Sequence, residues 1–520
     1  MTSLDGMPGL RAGEPGDPPA VTLARVRIGP GGPLGSVRIA GGRIVAVVAE
    51  DGREEVAEDA AGESARVAAV DAVVDLGGRT VLPGLWDGHV HMAQWAGNRH
   101  RLDLSGLGSA RAVAEAVRRH AAGLPAGEML TGHSFRDGLW SDTPHLSLLD
   151  AVCPDRPVAL VGADLHAAWL NSAALARVGR DGHPTGLLRE HECFEVLDAL
   201  TEAPAEALDR WVAEACRDAA ARGVTGIVDF HFADNVADWS RRAAAAPLAV
   251  RVRAAVYPAQ LEEVIERGLR TGDVLPGTGG MVRVGPLKVF TDGSLNTRTA
   301  LCGDPYPGLE GTPEAYGVQE TPREELVRLM RRAAAHGLEP AVHAIGDRAN
   351  TLALDAFEAV GCRGRIEHAQ LLTAADVPRF AELGVTASVQ PAHAPDDRDV
   401  ADRHWAGRTG RAFAYADLLA AGVRLEFGSD APVSPLDPWL GIAAAVSRTA
   451  DERPAWHPEQ RLPVQAALSA SALGRSRPRA GAPADLVIVD VDPLEADAPT
   501  LREMPVHATM TAGRWTHGPC

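Results

Sequence analysis

The chain has 520 residues, with 51 basic and 69 acidic side chains and a formal net charge of −18. This charge excludes nucleic acid and anionic membrane surfaces as expected partners, because both repel an acidic protein. The length suits about two or three domains with a substantial core, and no run reaches the roughly 18 apolar residues of a membrane span.

The first residues predict a tail followed by a small β-domain. Residues 1–20 are rich in Gly and Pro and lack the basic and apolar regions of a secretory signal, so we expect a flexible tail. Short alternating runs follow, and similar runs return near the C-terminus. This pattern predicts one small β-sandwich domain built from residues 21–78 and 476–520.

The most informative motif ends an apolar run at VLPGLWDGHVHM, where one residue separates His89 from His91. Side chains at positions i and i+2 of a strand point to the same face, so both imidazoles can reach one ion. Alone the motif is weak, because an ordinary pair of loop histidines has the same spacing.

Residues 79–475 alternate strand-like runs with amphipathic helices, the pattern of a parallel α/β barrel. The run PVALVGADLH would make a ninth strand, which we assign to an insertion at about residues 100–205. The remaining candidates number eight, enough to close a barrel. They are Val81–Leu85, Val224–Phe230, Val250–Val256, Val284–Phe290, Pro340–His343, Arg365–His368, Val385–Val389 and Leu425–Gly428.

Four further polar residues lie in or just after these strand candidates: Lys288, His343, His368 and Asp430. A closed parallel sheet would bring them to one face together with the histidine pair. Imidazole and carboxylate groups are the ligands that Zn²⁺ and similar ions take. The sequence therefore predicts a metal site at one end of the barrel.

The segments DGHVHM, KVFTDGSLNTRTA, AVHAIGDRAN, RIEHAQ and FGSDAPVSPLDPW resemble the amidohydrolase superfamily in kind and in order. More narrowly, they resemble its amidohydrolase 3 or YtcJ-like subgroup, which includes enzymes similar to N-substituted formamide deformylase. The resemblance implies an α/β fold: a (β/α)8 TIM barrel with an insertion after strand 1, plus a small β-sandwich domain built from both termini.

The resemblance also implies roles for the six polar residues. His89 and His91 would hold one ion, and Asp430 would bind the same ion and act as general base. His343 and His368 would bind a second ion, and a carbamate on Lys288 would bridge the two. Alternatively, Lys288 forms a salt bridge to Asp292 and the site holds one ion. Zn²⁺ heads the candidates, although Fe, Mn, Co and Ni also suit these ligands.

Five residues are candidates for substrate binding. His166, Trp169 and Asn171 lie in GADLHAAWLNSAAL, which is similar to a substrate-side segment of the subgroup. Asp292 and Arg298 follow the lysine strand, where barrel loops form the mouth of the active site. Helix packing, a helix cap and a surface ion pair are the alternatives for Trp169, Asn171 and Arg298.

These features predict a metal-dependent hydrolase in which metal-activated hydroxide cleaves an amide-like carbon–nitrogen bond, as in an N-formyl or N-acyl amine. A hydrolytic deaminase of a cyclic amidine or heterocycle is the first alternative, and a non-catalytic binding or regulatory protein on the same fold is the second. The expected partner is a small molecule, with a homodimer as the default assembly. Six cysteines without CxxC spacing predict reduced thiols in the cytoplasm.

Overall fold

The computed structural model describes residues 20–57, 72–125, 127–201 and 204–518. The predicted tail lies outside these ranges except for Ala20. Within them, no helix is both long and apolar enough to cross a membrane. The cysteines of the described ranges are free thiols, and four of these five are buried.

The strands are β1 (Val21–Ile28), β2 (Leu34–Ala40), β3 (Arg43–Ala49), β4 (Glu54–Val56), β5 (Ala72–Asp75), β6 (Thr80–Pro83), β7 (Leu85–Val90), β8 (Leu102–Asp103), β9 (Leu130–Phe135), β10 (Val158–Gly162), β11 (Ala167–Leu170), β12 (Leu187–Arg189), β13 (Val224–Asp229), β14 (Arg251–Val256), β15 (Val282–Phe290), β16 (Pro340–Ala344), β17 (Gly364–His368), β18 (Val385–Val389), β19 (Leu425–Phe427), β20 (Leu486–Val489), β21 (Val506–Thr511) and β22 (Arg514–His517).

The α-helices span Met92–Asn98, Ala110–Ala121, Leu146–Val152, Ser172–Arg177, His191–Thr201, Ala205–Ala221, Asn235–Ala245, Leu261–Glu266, Arg323–Ala334, Asp347–Val360, Asp376–Glu382, His393–Asp396, Arg398–His404, Tyr415–Ala420, Pro438–Ser447, Val464–Ala470 and Ala498–Arg502.

Eight parallel strands form the barrel in the order β7, β13, β14, β15, β16, β17, β18, β19. The ring closes between β19 and β7, where Val90 bridges to Ala431 and the Asp430 N–H donates to the His89 carbonyl at 2.8 Å. Helices follow most strands and bury one stripe against them, as Arg323–Ala334 does through Leu326 and Met330. The predicted (β/α)8 barrel is confirmed.

Two further sheets accompany the barrel. A nine-stranded sheet takes β1 to β6 from the start of the chain and β20 to β22 from its end, and it has a hydrophobic core of its own. A five-stranded sheet, β8 to β12, lies in the insertion between β7 and β13. The predicted ninth strand is β10 of this sheet. The exact domain boundaries stay a prediction.

The first barrel strand differs from its prediction. The predicted run Val81–Leu85 divides between two sheets: Thr80–Pro83 belongs to the nine-stranded sheet, and the barrel strand is Leu85–Val90. Gly84 separates them where a Cβ atom would lie 2.3 Å from the Thr225 side chain. One continuous apolar run therefore serves both sheets, and His89 lies inside a strand rather than after one.

Candidate metal centre and active-site cleft

Three buried side chains meet at the seam of the barrel. Ligand atoms of His89, His91 and Asp430 all lie within 4.8 Å of one another. The Asp430 Oδ1 atom is 3.3 Å from Nε2 of His91 and 3.6 Å from Nε2 of His89. The hydrogen bond that closes the barrel joins the backbones of His89 and Asp430, so the seam itself sets this geometry.

His343 and His368 complete a second side of the same cluster. Their strands β16 and β17 are paired in register, with Ala344 opposite His368, and their rings lie 4.6 Å apart between centroids. The His368 ring is also 4.9 Å from that of His89. His368 and Asp430 both have positive φ, at 74° and 57°, which is strained backbone of the kind that concentrates at functional sites.

Lys288 reaches the cluster from near the C-terminal end of β15. Its Nζ atom lies 3.5 Å from Nε2 of His89, and it is 4.6 Å and 4.9 Å from the ring centroids of Phe230 and Phe290. The side chain is 1% exposed. Burial lowers the pKa of Lys288 to about 8, so a substantial fraction of the amine is neutral near physiological pH.

The donor set fits a divalent cation. Burial holds the pKa of His89, His343 and His368 well below its usual value, which keeps these imidazoles neutral and able to bind metal. Burial alone would raise the pKa of Asp430, but His89 and His91 outweigh burial and lower it, so the carboxylate is ionised. Nδ1 of His343 is buried and has no hydrogen-bond partner among the described residues.

Glu367 orients His89 from beneath the cluster. Its Oε2 atom accepts from Nδ1 of His89 at 2.7 Å, which directs Nε2 of that ring toward Asp430. Arg365 holds Glu367 in place, and it also donates to the Gly88 carbonyl at 2.7 Å and to Glu426 at 2.9 Å. Carboxylate partners of this kind fix the tautomer and orientation of ligand histidines.

A cleft of about 620 Å³ of free space, part of it open to solvent, leads to the cluster. One wall is aromatic: Phe232 stacks between His91 at 5.3 Å and Phe290 at 5.7 Å, and Phe194 packs 5.6 Å from Phe232. Gln370, His393 and Asp397 line the cleft after β17 and β18, while Phe194 comes from the insertion. The cleft therefore combines a metal-binding floor with one apolar wall.

His166 also lines the cleft from the insertion, with its ring 5.6 Å from that of His343. Its Nδ1 atom lies 2.6 Å from Oε2 of Glu190. Burial lowers the pKa of His166, but the Glu190 carboxylate outweighs burial and raises it to about 9. His166 is therefore a cation beside the metal centre at neutral pH.

The other substrate-side candidates lie outside the cleft lining. Trp169 is buried in the core of the insertion, 6.4 Å from Phe135. Asn171 caps the helix Ser172–Arg177 and bonds the backbone of Val158. Arg298 is half-buried among the charged groups of Arg189 and Asp137. The packing and capping alternatives therefore describe Trp169 and Asn171 better than substrate binding does.

Asp292 has a supporting position behind His343. Its carboxylate accepts from the backbone N–H groups of Leu301, Ile345 and Gly346 at 2.8–3.0 Å and lies 3.5 Å from Nε2 of His343. Burial raises the pKa of Asp292 to about 7. Among the described residues, no ion pair joins Asp292 to Lys288. The hydrogen bonds of Asp292 instead tie the loop after β15 to the loop after β16.

Sequence reasoning missed Glu190, Glu367 and the aromatic wall. A signal existed for Glu367, because Arg365 and Glu367 are two charged residues at i and i+2 in a strand that must be buried in a barrel. Glu190 gave no such signal, because it follows the short strand β12 far from any ligand motif.

The chain is similar to known proteins in sequence and in fold. The amidohydrolase family profile matches residues 72–517. The YtcJ protein of Bacillus subtilis (strain 168) is 30% identical over 483 residues, covering 85% of this chain and 89% of that protein. An N-substituted formamide deformylase of Arthrobacter pascens is 28% identical over 529 residues, covering 92% and 94%. An uncharacterised metal-dependent hydrolase of Pyrococcus horikoshii OT3 superposes with a TM-score of 0.74 at 26% identity, covering 92% and 99%.

Proposed function

This chain belongs to the amidohydrolase family of metal-dependent hydrolases, and we propose that it hydrolyses an amide-like carbon–nitrogen bond of a small molecule, with N-formyl and N-acyl amines as substrates. The similarity to an N-substituted formamide deformylase supports this substrate class. The observation that carries the proposal is the cluster of His89, His91 and Asp430 at the floor of a cleft that is partly open to solvent.

The residues that would hold metal divide into two groups. His89, His91 and Asp430 would bind one ion, and His343 and His368 a second, with Zn²⁺ as the proposed metal. The neutral amine of Lys288 can react with CO2 to form a carbamate, losing one proton, and this anion would bridge the two ions. When bound, the metal supplies polarisation of the substrate carbonyl and increases the acidity of water.

The chain's own residues then move the proton. Asp430 accepts it from the attacking water as the new carbon–oxygen bond forms, because its carboxylate is ionised and lies at the centre of the cluster. As the carbon–nitrogen bond breaks, Asp430 returns the proton to the leaving nitrogen. The products are a carboxylic acid and a free amine, which balances the addition of one water molecule.

The charges of the cleft outside the metal cluster favour a neutral or cationic substrate over an anionic one. Away from the cluster, Asp164 and Asp397 line the cleft, and His166 is the cationic side chain among its described lining residues, which include no arginine. A substrate with a free carboxylate, such as an N-acyl amino acid, would therefore meet like charge. The aromatic wall suits an apolar substituent on the amide nitrogen.

The test is a steady-state assay of metal-loaded protein on a panel of N-formyl amines, N-acyl amines, N-acyl amino acids and heterocyclic amines. We expect release of the free amine from the neutral amides. The variant Asp430→Asn should lose this activity while it keeps the fold.

Two results would contradict the proposal. Ammonia released from intact rings, without amine release from any amide, would identify a hydrolytic deaminase. Tight ligand binding by a protein that elemental analysis shows to be free of metal, and that turns over no panel member, would identify a binding protein.

A further inference from the structure

A buried polar network joins the insertion to the barrel beside the cleft. The insertion contributes Asp164, His166 and Glu190, and the loop after β15 contributes Ser294, Thr297 and Thr299. Ser294 Oγ donates to Asp164 at 2.6 Å, and Thr297 Oγ1 donates to Oε1 of Glu190 at 2.8 Å. Thr299 Oγ1 also donates to Oε1 of Glu190.

Glu190 is the centre of this network. Its Oε2 atom pairs with Nδ1 of His166 at 2.6 Å, while Oε1 accepts from the two threonine hydroxyls. The residue is 6% exposed. A carboxylate with both oxygens satisfied at such burial has a single orientation, because leaving either oxygen without a partner would be unfavourable.

The surrounding backbone is shaped to fit this pair. A Cβ atom at Gly293 would lie 2.7 Å from the Glu190 carboxylate and 2.1 Å from Thr299 Oγ1, so only glycine fits there. Leu165 and Glu190 are not glycines, yet they have φ values of 64° and 50°. Strain of this kind persists only where surrounding contacts enforce it.

The pair determines which nitrogen of His166 is available. Because Nδ1 is bound to Glu190, Nε2 is the nitrogen left for the cleft that the residue lines. The His166 ring lies 5.6 Å from His343 between centroids, so an oxygen atom bound at the metal centre is within reach of a donor at this position.

We propose that Glu190 is a positioning residue that holds His166 with its Nε2–H directed at the carbonyl oxygen of the substrate. This inference rests on the proposed function. As water adds to the carbonyl carbon, that oxygen gains negative charge, and a fixed N–H donor stabilises the charge more in the transition state than in the bound substrate. Glu190 touches neither substrate nor metal and acts through His166.

A double-mutant cycle on the metal-loaded protein tests the proposal. Glu190→Gln should lower kcat about 10- to 100-fold and change KM less than about 3-fold, as expected when a donor to the transition state is misplaced. His166→Asn should lower kcat at least as much. The double variant should be no slower than His166→Asn alone, because Glu190 has no route to the reaction except through His166.

The matched control is Glu192→Gln, the same change two residues away on an exposed side chain, which should leave kcat and metal content unchanged. Glu190→Asp keeps the charge and should fall between wild type and Glu190→Gln, which covers the case in which the glutamine variant folds poorly. Additive losses in the double variant, or a loss confined to KM or to metal content, would overturn the proposal.

A second readout does not require turnover. The proton between Nδ1 of His166 and Glu190 should give a low-field imidazole resonance in the NMR spectrum that is absent from His166→Asn and from Glu190→Gln. Its persistence in Glu190→Gln would refute the pairing. Failure of the proposed function would instead show as wild-type protein that releases no amine while this resonance behaves as expected.

Discussion

The floor and one wall of the cleft are built in different ways. The ligand histidines and Asp430 lie on, or shortly after, barrel strands that are hydrogen-bonded to their neighbours. The wall is here the part that the insertion contributes, His166 and Phe194. The insertion meets the barrel near the cleft through side-chain contacts such as Ser294 to Asp164. We therefore expect metal binding to depend on the hydrogen-bonded strands of the barrel, and substrate orientation to depend on how the insertion is docked.

The largest expected effect separates the floor from the wall. Asp430→Asn should lower kcat by about 1,000-fold or more, because the variant loses its general base and one charged ligand. Elemental analysis after dialysis should show reduced metal content, while circular dichroism stays like wild type. Asp181→Asn, on an exposed residue, is the matched control. Full activity of Asp430→Asn would place the chemistry elsewhere in the cleft.

The stability that the His166–Glu190 pair gives to the fold should depend on pH in a defined window. The pKa of His166 is raised from 6.5 to about 9 by Glu190, so the pair stabilises the fold fully below pH 6.5 and this stabilisation is lost as pH rises through 9. The maximum contribution is about 3 kcal/mol. In metal-free protein, the melting temperature of Glu190→Gln should therefore lie furthest below wild type near pH 6.5 and approach it above pH 9.

The control for this window is Glu262→Gln. Glu262 pairs on the surface with Arg332, and arginine does not titrate in this range. Its difference from wild type should be small and constant with pH. If Glu190→Gln shows the same constant difference, His166 is not charged by Glu190.

The floor was largely predictable from sequence because each ligand closes a local apolar run, and parallel strands bring such positions to one rim. The wall was not predictable in the same way. Glu190 and Thr297 are 107 positions apart, and no local pattern relates them. Trp169 was also mispredicted as a substrate-binding residue, because it packs into the core of the insertion. Alternation along β11 alone does not tell which side of an inserted sheet meets the barrel.

The boundary of the first strand was mispredicted for a related reason. The run from Val81 to Trp86 is apolar throughout, and hydrophobicity reports burial without reporting the sheet to which a residue belongs. Gly84 is the point of division because a Cβ atom there would clash with Thr225 on the neighbouring strand β13, and Thr225 is distant in sequence. Local patterns therefore place residues in strands more reliably than they assign strands to sheets.

The metal site can be weakened selectively through Glu367, which orients His89. Glu367→Gln should lower metal affinity about 10-fold, because a neutral amide holds His89 less firmly than a carboxylate does. Calorimetric titration of metal into stripped protein measures the effect. Glu426→Gln is the matched control, since Glu426 shares the partner Arg365 but is not hydrogen-bonded to His89. Equal losses in both variants would mean that Arg365, rather than the orientation of His89, governs affinity.

The smallest expected effect concerns the charge of the cleft lining. Burial raises the pKa of Asp397 to about 6, so this carboxylate is largely ionised at pH 7.5 and largely neutral at pH 5. The ratio of kcat/KM for a neutral amide to that for an N-acyl amino acid should therefore fall about 3- to 10-fold between these values, as expected for one partly screened charge. The ratio removes changes common to both substrates, including any loss of metal in acid. In Asp397→Asn the ratio should be low and constant with pH. A pH-dependent ratio in that variant would show that a group other than Asp397 governs the discrimination.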